Sequence, residues 1–306
     1  MKFIKVKPIY TETLWGSNNI AKLRGLNKEN IGTSWEISAH RDFDCEIDDK
    51  KLSVFLNENK EEILGEGLDL KDMLRVALLD AKEYLSIQVH PDNEYGLEND
   101  MDLGKSECWY ILGADDNATL VAGSYFNNKE ELQKSIEEDK LEDKLRYLPV
   151  KKGDFIAIKN GTLHALGSGI TAIEISTNSN TTYRFYDFHR LDNNGKERDL
   201  HIEKSIDVVD INSNPDIIST PLDNSFKEKE LANFDNFKVL LVDTDKEYTI
   251  ETNNKYLTIS NVGEPVLLKS EDDKIELNYL DSILVPASLK EVKVIGNTRL
   301  IIGKPN

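Results

Sequence analysis

The chain has little cysteine, fewer basic than acidic residues and no long apolar run, and each shortage excludes a class of protein. Its two cysteines, Cys45 and Cys108, are too few for a disulfide framework, and neither belongs to a Cys-x-x-Cys pair. We therefore predict that both thiols are reduced and buried. The net charge of −18 argues against nucleic acid or an anionic membrane as a partner, because either would require a basic surface. An anionic ligand would need a local basic pocket.

The distribution of apolar residues also argues against a membrane protein. No apolar stretch approaches the roughly 18 to 20 residues that a membrane span requires. The N-terminal segment MKFIKVKPIYTETLW alternates apolar and charged residues where a signal peptide would have an uninterrupted apolar centre. We expect a cytoplasmic protein, and its charge and solubility are compatible with a monomer.

Segments of alternating or β-branched character dominate the first two thirds of the chain and predict a mainly β fold. These segments are 33–40, 85–90, 108–114, 119–124, 154–159, 170–176 and 181–188. Helical excursions are predicted at about 57–81 and 127–148, and a further helix at 201–210. Leu70, Met73, Leu74, Ala77 and Leu78 form the apolar stripe that suggests the first of these helices. No repeating βαβ pattern appears, which argues against a doubly wound parallel sheet.

A polar stretch with proline and asparagine, residues 211–237, is typical of a connection across the surface. Closely spaced strand segments with turn signals follow it, as in a small antiparallel sandwich. We therefore predict a catalytic domain at 1–235 and a small antiparallel β domain at 236–306. The second domain contains neither histidine nor cysteine, so we expect the chemistry to lie before about residue 210.

Four residues suggest a metal site. Gln88 and His90 share one face of the predicted strand LSIQVH, because side chains alternate along a strand. Glu107 leads a later strand, and His164 follows a turn centred on Gly161. Oxygen and imidazole ligands suit zinc with an open coordination position better than a closed structural site. Each of these residues alone would more often be an ordinary core or surface side chain, so the combination carries the prediction.

This combination resembles the two-part metal signature of cupins, whose second part is G-x5-P-x-G-x2-H. Here the second part runs from Gly153 through Gly161 to His164, with the same spacing. Lys159 stands where the general pattern has proline, so the turn before His164 is less rigidly preset.

With its neighbours included, the chain resembles the type I mannose-6-phosphate isomerases, in particular their short bacterial form. The segments that carry the resemblance are LWGSNNI (14–20), WEISAH (35–40), LSIQVHPDNEYG (85–96), KSECWYIL (105–112), GTLHALGSGITAIEIS (161–176), TTYRFYDFHR (181–190) and HIEKSIDVVD (201–210). Ser176 lies where the short forms usually have Gln, and Asn180 where they usually have Asp.

The resemblance implies a cupin barrel, that is, a double-stranded β-helix or jelly roll, with one zinc ion per chain. By position, Gln88, His90, Glu107 and His164 would bind that zinc. The family's catalytic arginine corresponds to Arg184. The implied reaction interconverts mannose 6-phosphate and fructose 6-phosphate through an enediolate, so the partner would be a small sugar phosphate.

Further residues are candidates for the pocket. Lys105 shares the strand parity of Glu107 and could transfer protons, for which nearby positive charge and burial would lower its pKa. Ser86 resembles the family serine linked to the substrate phosphate, and Glu36 and His40 are candidates for substrate binding. Each could equally serve a structural role.

Three alternative functions stay open at this point. The protein could isomerise a different aldose or an unphosphorylated sugar. It could also be a non-catalytic metal cupin that binds a sugar or sugar phosphate. An iron oxygenase is a further possibility, since two histidines and a glutamate can hold non-haem iron, although Gln88 would occupy a position that such a site leaves open to oxygen.

Overall fold

The computed structural model describes residues 1–192, 194–222 and 227–306. Within these ranges no helix is both long and apolar enough to cross a lipid bilayer. The strands before residue 222 are β1 (Ile9–Ser17), β2 (Ile31–Ile37), β3 (Ala39–His40), β4 (Phe43–Asp44), β5 (Glu46–Ile47), β6 (Lys50–Lys51), β7 (Leu74–Ala81), β8 (Ile87–Val89), β9 (Glu107–Ala114), β10 (Thr119–Ser124), β11 (Leu145–Pro149), β12 (Asp154–Ile158), β13 (His164–Ala165), β14 (Ile170–Thr177), β15 (Tyr183–Tyr186) and β16 (Ile218–Ser219).

The strands after residue 227 are β17 (Glu228–Asn233), β18 (Phe237–Thr244), β19 (Glu247–Glu251), β20 (Leu257–Asn261), β21 (Val266–Lys269), β22 (Lys274–Leu277), β23 (Ser282–Val285), β24 (Glu291–Ile295) and β25 (Thr298–Pro305). The α-helices are α1 (Asn19–Arg24), α2 (Leu52–Glu58), α3 (Lys60–Ile63), α4 (Asn93–Asp100), α5 (Lys129–Glu137) and α6 (Ile202–Val208). The prediction of a mainly β fold is therefore confirmed.

Two sheets pack face to face and enclose a common apolar interior. The first sheet has the strand order β1-β2-β7-β14-β9-β12-β16, and the second has the order β11-β10-β13-β8-β15. Trp109 and Ala172 of the first sheet share one buried apolar cluster with Leu120 and Ala122 of the second. Side chains at alternate positions of both sheets thus point into a common core.

The outer faces of both sheets are covered by other elements. Cys108 and Ile175, on the other face of the first sheet, join a cluster with Val239 and Ile301 of the third sheet, whose order is β17-β18-β25-β20-β23. A fourth sheet, β19-β24-β21-β22, packs on the far side of the third. Helix α5 covers the outer face of the second sheet, where Leu132 packs in one cluster with apolar residues of β8 and β15.

The predicted helical excursion at 57–81 is mostly wrong. Its last eight residues, Leu74–Ala81, form strand β7 between β2 and β14, and only short helices occur before it. All eight side chains of β7 are buried, because the strand is covered on both faces. A strand buried on both faces loses the period of two, and its apolar residues then match helical spacing by coincidence.

The helix predicted at 127–148 is confirmed in part, and the helix predicted at 201–210 is confirmed. The segment 127–148 begins with α5, whose first turn is capped by the Asn128 side chain accepting a hydrogen bond from the Glu131 amide at 2.8 Å. The segment then continues as a single 3-10 turn, Leu141–Lys144, and strand β11. Helix α6 confirms the helix predicted at 201–210.

The predicted surface connection at 211–237 contains two strands, β16 and β17, which extend the first and third sheets. Residues 223–226 of this connection lie outside the described part of the chain. The third and fourth sheets consist of antiparallel strands from Glu228 onwards. The domain boundary near residue 235 stays a prediction.

Candidate metal centre and active site

A row of three residues crosses the second sheet. Gln88 on β8 is the Cα partner of His164 on β13 and, on its other side, of Arg184 on β15. Residues directly opposite each other on neighbouring strands point to the same face. That face is the interior one, because the His164 ring contacts the edge of Trp109 in the first sheet, with 5.6 Å between ring centroids.

Glu107 reaches this row from the first sheet. Its Oε1 lies 3.2 Å from Nε2 of His164, and its Oε2 lies 3.5 Å from Nε2 of His90. The possible ligand atoms of these three buried side chains all lie within 4.8 Å of one another. The predicted ligands therefore converge, although they come from segments far apart in sequence.

The hydrogen bonds on the far side of each imidazole define which nitrogen carries the proton. Nδ1 of His90 lies 2.8 Å from the carbonyl oxygen of Thr181, and Nδ1 of His164 lies 2.8 Å from that of Thr162. A carbonyl only accepts, so each Nδ1 must donate, and in a neutral ring Nε2 then carries a lone pair. Both lone pairs face the carboxylate of Glu107.

Burial keeps the ring of His90 neutral, because it lowers the pKa of His90 to about 4. Burial alone would raise the pKa of Glu107, but the positive charge of Lys105 is the largest opposing influence, and the pKa is held well below its usual range. Within the described residues, neither Nε2 of His90 nor the oxygens of Glu107 have a hydrogen-bond partner at a favourable angle, although Lys105 forms an ion pair with Oε2 of Glu107. Buried acceptors that face one another in this way are a cluster that could hold a cation.

Lys105 provides one positive charge beside this cluster. Its Nζ lies 2.5 Å from Oε2 of Glu107 and 3.0 Å from Oε1 of Glu174. Burial lowers the pKa of Lys105, but the two carboxylates outweigh burial and the pKa is raised. The expectation of a lowered pKa is therefore wrong, because the sequence did not reveal that two carboxylates would surround the ammonium group.

The turn that positions His164 has the predicted glycine at its centre. Gly161 adopts a φ of +79°, which a side chain would strain. Its amide donates to the carbonyl of His90 at 2.8 Å, and the amide of Thr162 donates to the carbonyl of Lys159 at 3.1 Å. These bonds connect the backbones of two candidate ligands, even though Lys159 replaces the proline of the general cupin pattern.

Gln88 points its amide nitrogen at the cluster, 3.3 Å from Nε2 of His164. The hydroxyl of Ser86 donates to the amide oxygen of Gln88 at 3.4 Å. A half-turn of the amide would present the oxygen instead, which is the atom that a metal would require. Ser86 thus lies next to the candidate ligands, as its strand parity predicts.

The structure does not bring Glu36 to this centre. Its carboxylate accepts from Ser34 Oγ at 2.6 Å and pairs with Arg24 at 2.9 Å. Arg24 in turn binds the carbonyl of Leu280, so Glu36 belongs to a contact between the first sheet and the C-terminal strands. His40 is likewise engaged elsewhere, with Nε2 3.1 Å from Oδ2 of Asp102.

Two buried charged residues of the interior were missed from the sequence. Glu174 lies opposite Trp109 in the sheet and pairs with Lys105. Arg75 stacks on the ring of Trp35 at 3.9 Å, and burial lowers its pKa to about 10. The sequence does contain an indication that Glu174 is unusual, since it is the one charged residue in the apolar run ITAIEIS. Arg75 could not be found, because β7 was interpreted as a helix.

Known proteins similar to this chain are mannose-6-phosphate isomerases. No family model matches the chain. Mannose-6-phosphate isomerase of Streptococcus mutans is 33% identical over 96% of this chain and 95% of that protein. The crystal structure of mannose 6-phosphate isomerase from Bacillus subtilis has a TM-score of 0.86 and 31% identity, and covers 99% of both chains.

A structure of mannose 6-phosphate isomerase bound with zinc and yttrium has a TM-score of 0.78 over 99% of both chains. Its identity of 16% shows a shared fold only. Identity above 30% over nearly the whole length, as with the Streptococcus and Bacillus proteins, shows more than a fold. The chain therefore belongs to the mannose-6-phosphate isomerase family and is an enzyme of that type.

Proposed function

We propose that this enzyme is a zinc-dependent aldose-ketose isomerase that interconverts mannose 6-phosphate and fructose 6-phosphate through an enediolate. The observation that carries the proposal is the set of three buried acceptor groups, on His90, Glu107 and His164, which face one another. Membership of the mannose-6-phosphate isomerase family supports the substrate. The zinc-bound member of that fold supports the metal.

The donor set fits one zinc ion per chain. Two ligands that are each about 2.1 Å from a tetrahedral zinc lie roughly 3.4 Å apart. The imidazole nitrogens lie at similar distances from Glu107, 3.2 Å from Oε1 for His164 and 3.5 Å from Oε2 for His90. Gln88 would complete the protein ligands after its amide turns. Mixed nitrogen and oxygen ligands suit zinc that keeps a position open to substrate.

Bound zinc would supply Lewis-acid stabilisation of the negative charge that develops on the substrate oxygens. We infer that Arg184 adds a fixed positive donor at the same face, since its strand partner is Gln88 and a guanidinium does not deprotonate at neutral pH. Lys105 would stay protonated between Glu107 and Glu174, because its pKa is raised, and would hold a proton beside the reacting oxygens.

We also propose the finer architecture that the family resemblance implies. The first two sheets would form the cupin barrel, with residues 1–235 as the catalytic domain and 236–306 as the small β domain. The position of the candidate ligands in the interior between those two sheets supports this assignment. The cytoplasm is the proposed location.

The test combines elemental analysis of the purified enzyme with an assay for fructose 6-phosphate formed from mannose 6-phosphate, before and after chelation. We expect about one zinc per chain and turnover that chelation abolishes and zinc restores. Zinc without turnover of mannose 6-phosphate would move the function to another sugar. Full turnover in metal-free enzyme would refute zinc dependence.

A further inference from the structure

Strand β15 does not fix the position of Arg184 by its own ladder alone. Arg184 pairs with Gln88 of β8, but the register of the two strands shifts between Arg184 and Tyr186. A bulge of this kind bends a strand and re-aims the side chains beside it. β15 is also the last strand of the second sheet, so no further strand of the described chain pairs with its outer edge. The position of Arg184 therefore depends on what covers that edge.

The segment just before helix α6 covers it. The amide of His201 donates to the carbonyl of Arg184 at 2.8 Å. In return, the amide of Arg184 donates to Nδ1 of the His201 ring at 3.2 Å. Nη1 of Arg184 also donates to the carbonyl of Asp199 at 2.7 Å. Two residues of one segment thus hold both the backbone and the guanidinium group of Arg184.

The imidazole of His201 takes the place of a backbone carbonyl in this pair. Residues that face each other in a hydrogen-bonded antiparallel pair exchange two N–H···O=C bonds. The carbonyl of His201 is directed into α6 instead, where it accepts from the amide of Ser205 at 2.8 Å. Nδ1 of the ring accepts from Arg184 in its place. The side chain of His201 therefore makes a contact that its own backbone does not make.

This contact requires a neutral imidazole. A backbone amide only donates, so Nδ1 must carry a lone pair and the proton must lie on Nε2. Partial burial lowers the pKa of His201, and the positive charges of Arg184 and Lys204 lower it further. Asp100 and Asp199 act in the opposite direction without reversing the shift. The ring is therefore neutral at pH 7 and becomes charged only in more acidic solution.

The other groups near the ring line a cavity of about 280 Å³, which His201 shares with Arg41, Asp42 and Asp102. The ring of Tyr183 on β15 lies beside the imidazole, with 6.2 Å between ring centroids. His201 is only partly buried, so protons from solvent can reach the ring through this cavity. The contact with Arg184 can thus be made and lost as the ring titrates.

We propose that His201 is a positioning residue for Arg184, and that its Nδ1 lone pair fixes the backbone from which the guanidinium group reaches the substrate. This inference rests on the proposed function, in which Arg184 is a donor to the enediolate. The buried Nε of Arg184 has no partner within the described residues, so this donor remains for the substrate. Its placement matters, because a displacement of about 1 Å can lower a rate by about 100-fold.

The test compares two amide variants of the zinc-loaded enzyme. In His201→Asn the side-chain oxygen lies close to the position of Nδ1, so the Arg184 amide keeps an acceptor that does not titrate. In His201→Gln the longer side chain carries its amide to the position of Nε2, so the Arg184 amide loses its acceptor. We expect kcat for mannose 6-phosphate to stay near wild type in His201→Asn and to fall roughly tenfold in His201→Gln. KM and zinc content should not change in either variant.

Hydrogen exchange at the Arg184 amide gives a second readout that does not depend on turnover. Mass spectrometry with fragmentation to single residues measures the protection of this amide between about pH 7.5 and about pH 5. In the wild type we expect protection to fall towards low pH, because the protonated ring of His201 cannot accept. Protection should stay constant in His201→Asn and be low throughout in His201→Gln. Equal kcat in the two variants, or protection independent of pH in the wild type, would overturn the proposal.

His189→Gln is the matched control. His189 lies in the same connection between β15 and α6, but its side chain is exposed and pairs with Asp139 at 3.1 Å. We expect wild-type kcat and wild-type protection of the Arg184 amide, and losses equal to those of His201→Gln would refute a specific role of His201. If neither wild type nor variants turn over mannose 6-phosphate, the proposed function fails, whereas the exchange of the Arg184 amide still decides whether His201 positions this residue.

Discussion

Nε2 of His90 lies 3.5 Å from Oε2 of Glu107, and both atoms are acceptors buried without a proton between them. Nδ1 of His90 already donates to the carbonyl of Thr181, so the ring cannot turn its proton towards Glu107 without losing that bond. Protonating the second nitrogen is opposed by burial, which lowers the pKa of His90 to about 4. A metal cation between these atoms would satisfy both at once.

Changing His90 to Ala should lower metal content and turnover together, because one of the proposed ligands is lost. Plasma emission spectroscopy would give the zinc content, and the coupled assay would give turnover. His189→Ala is the control, since the side chain of His189 is 59% exposed and pairs with Asp139 away from the centre. Wild-type turnover in metal-depleted His90→Ala enzyme would refute the metal assignment.

Arg184→Ala should retain zinc but lower kcat by about 10²- to 10³-fold, the loss that follows removal of one donor to a developing oxyanion. The residue is not among the proposed ligands, so elemental analysis should match the wild type. A variant with unchanged kcat would show that Arg184 is an ordinary strand residue.

Removal of the carboxylate of Asp243 should destabilise the protein by about 3 to 5 kcal/mol, because the buried charge of Arg299 would lose its partner. Nε and Nη2 of Arg299 each lie 2.6 Å from this carboxylate, and the side chain is 5% exposed. Chemical denaturation of Asp243→Ala measures the free energy of unfolding.

The matched control for this stability prediction is Glu138→Ala. Glu138 pairs with Lys134 at the surface, and such exposed pairs contribute little to stability. Equal effects of Asp243→Ala and Glu138→Ala would contradict the importance of the buried pair.

The two cysteines should resist alkylation in the folded enzyme at pH 8. Both are free and buried, which confirms the sequence prediction, and burial raises the pKa of Cys45 to about 11 and that of Cys108 well above its usual value. The thiolate is the reactive form, so a raised pKa means that reaction requires higher pH or unfolding. Mass spectrometry after iodoacetamide treatment, with and without guanidinium chloride, checks this. Prompt modification of the native enzyme would contradict it.

Local sequence was sufficient for most of the strands and for the candidate ligands. The alternation of LSIQVH places Gln88 and His90 on one face of β8 whatever surrounds the strand, because side-chain direction alternates with each residue. Gly161 likewise predicts its own turn, since few other residues adopt a positive φ readily. These features depend on covalent geometry within a few residues.

The local sequence did not predict strand β7, because burial on both faces of the strand removed the alternation of apolar and polar residues. β7 was interpreted as a helix, although β2 and β14 flank it and no position faces water. That error also hid Arg75, whose guanidinium stacks on Trp35 in the interior. Glu36 lies within WEISAH, and only the tertiary structure shows that it pairs with Arg24; its role in substrate binding stays a prediction.

The sequence by itself determined the mainly β character, the two reduced cysteines and the strand parity of the candidate ligands, because these follow from composition and from neighbouring residues. Tertiary structure alone decided that Glu107 faces two imidazole lone pairs, that Glu174 raises the pKa of Lys105, and that Nδ1 of His201 accepts from the amide of Arg184. Distances and electric fields between remote segments depend on how the sheets pack, and no local pattern encodes them.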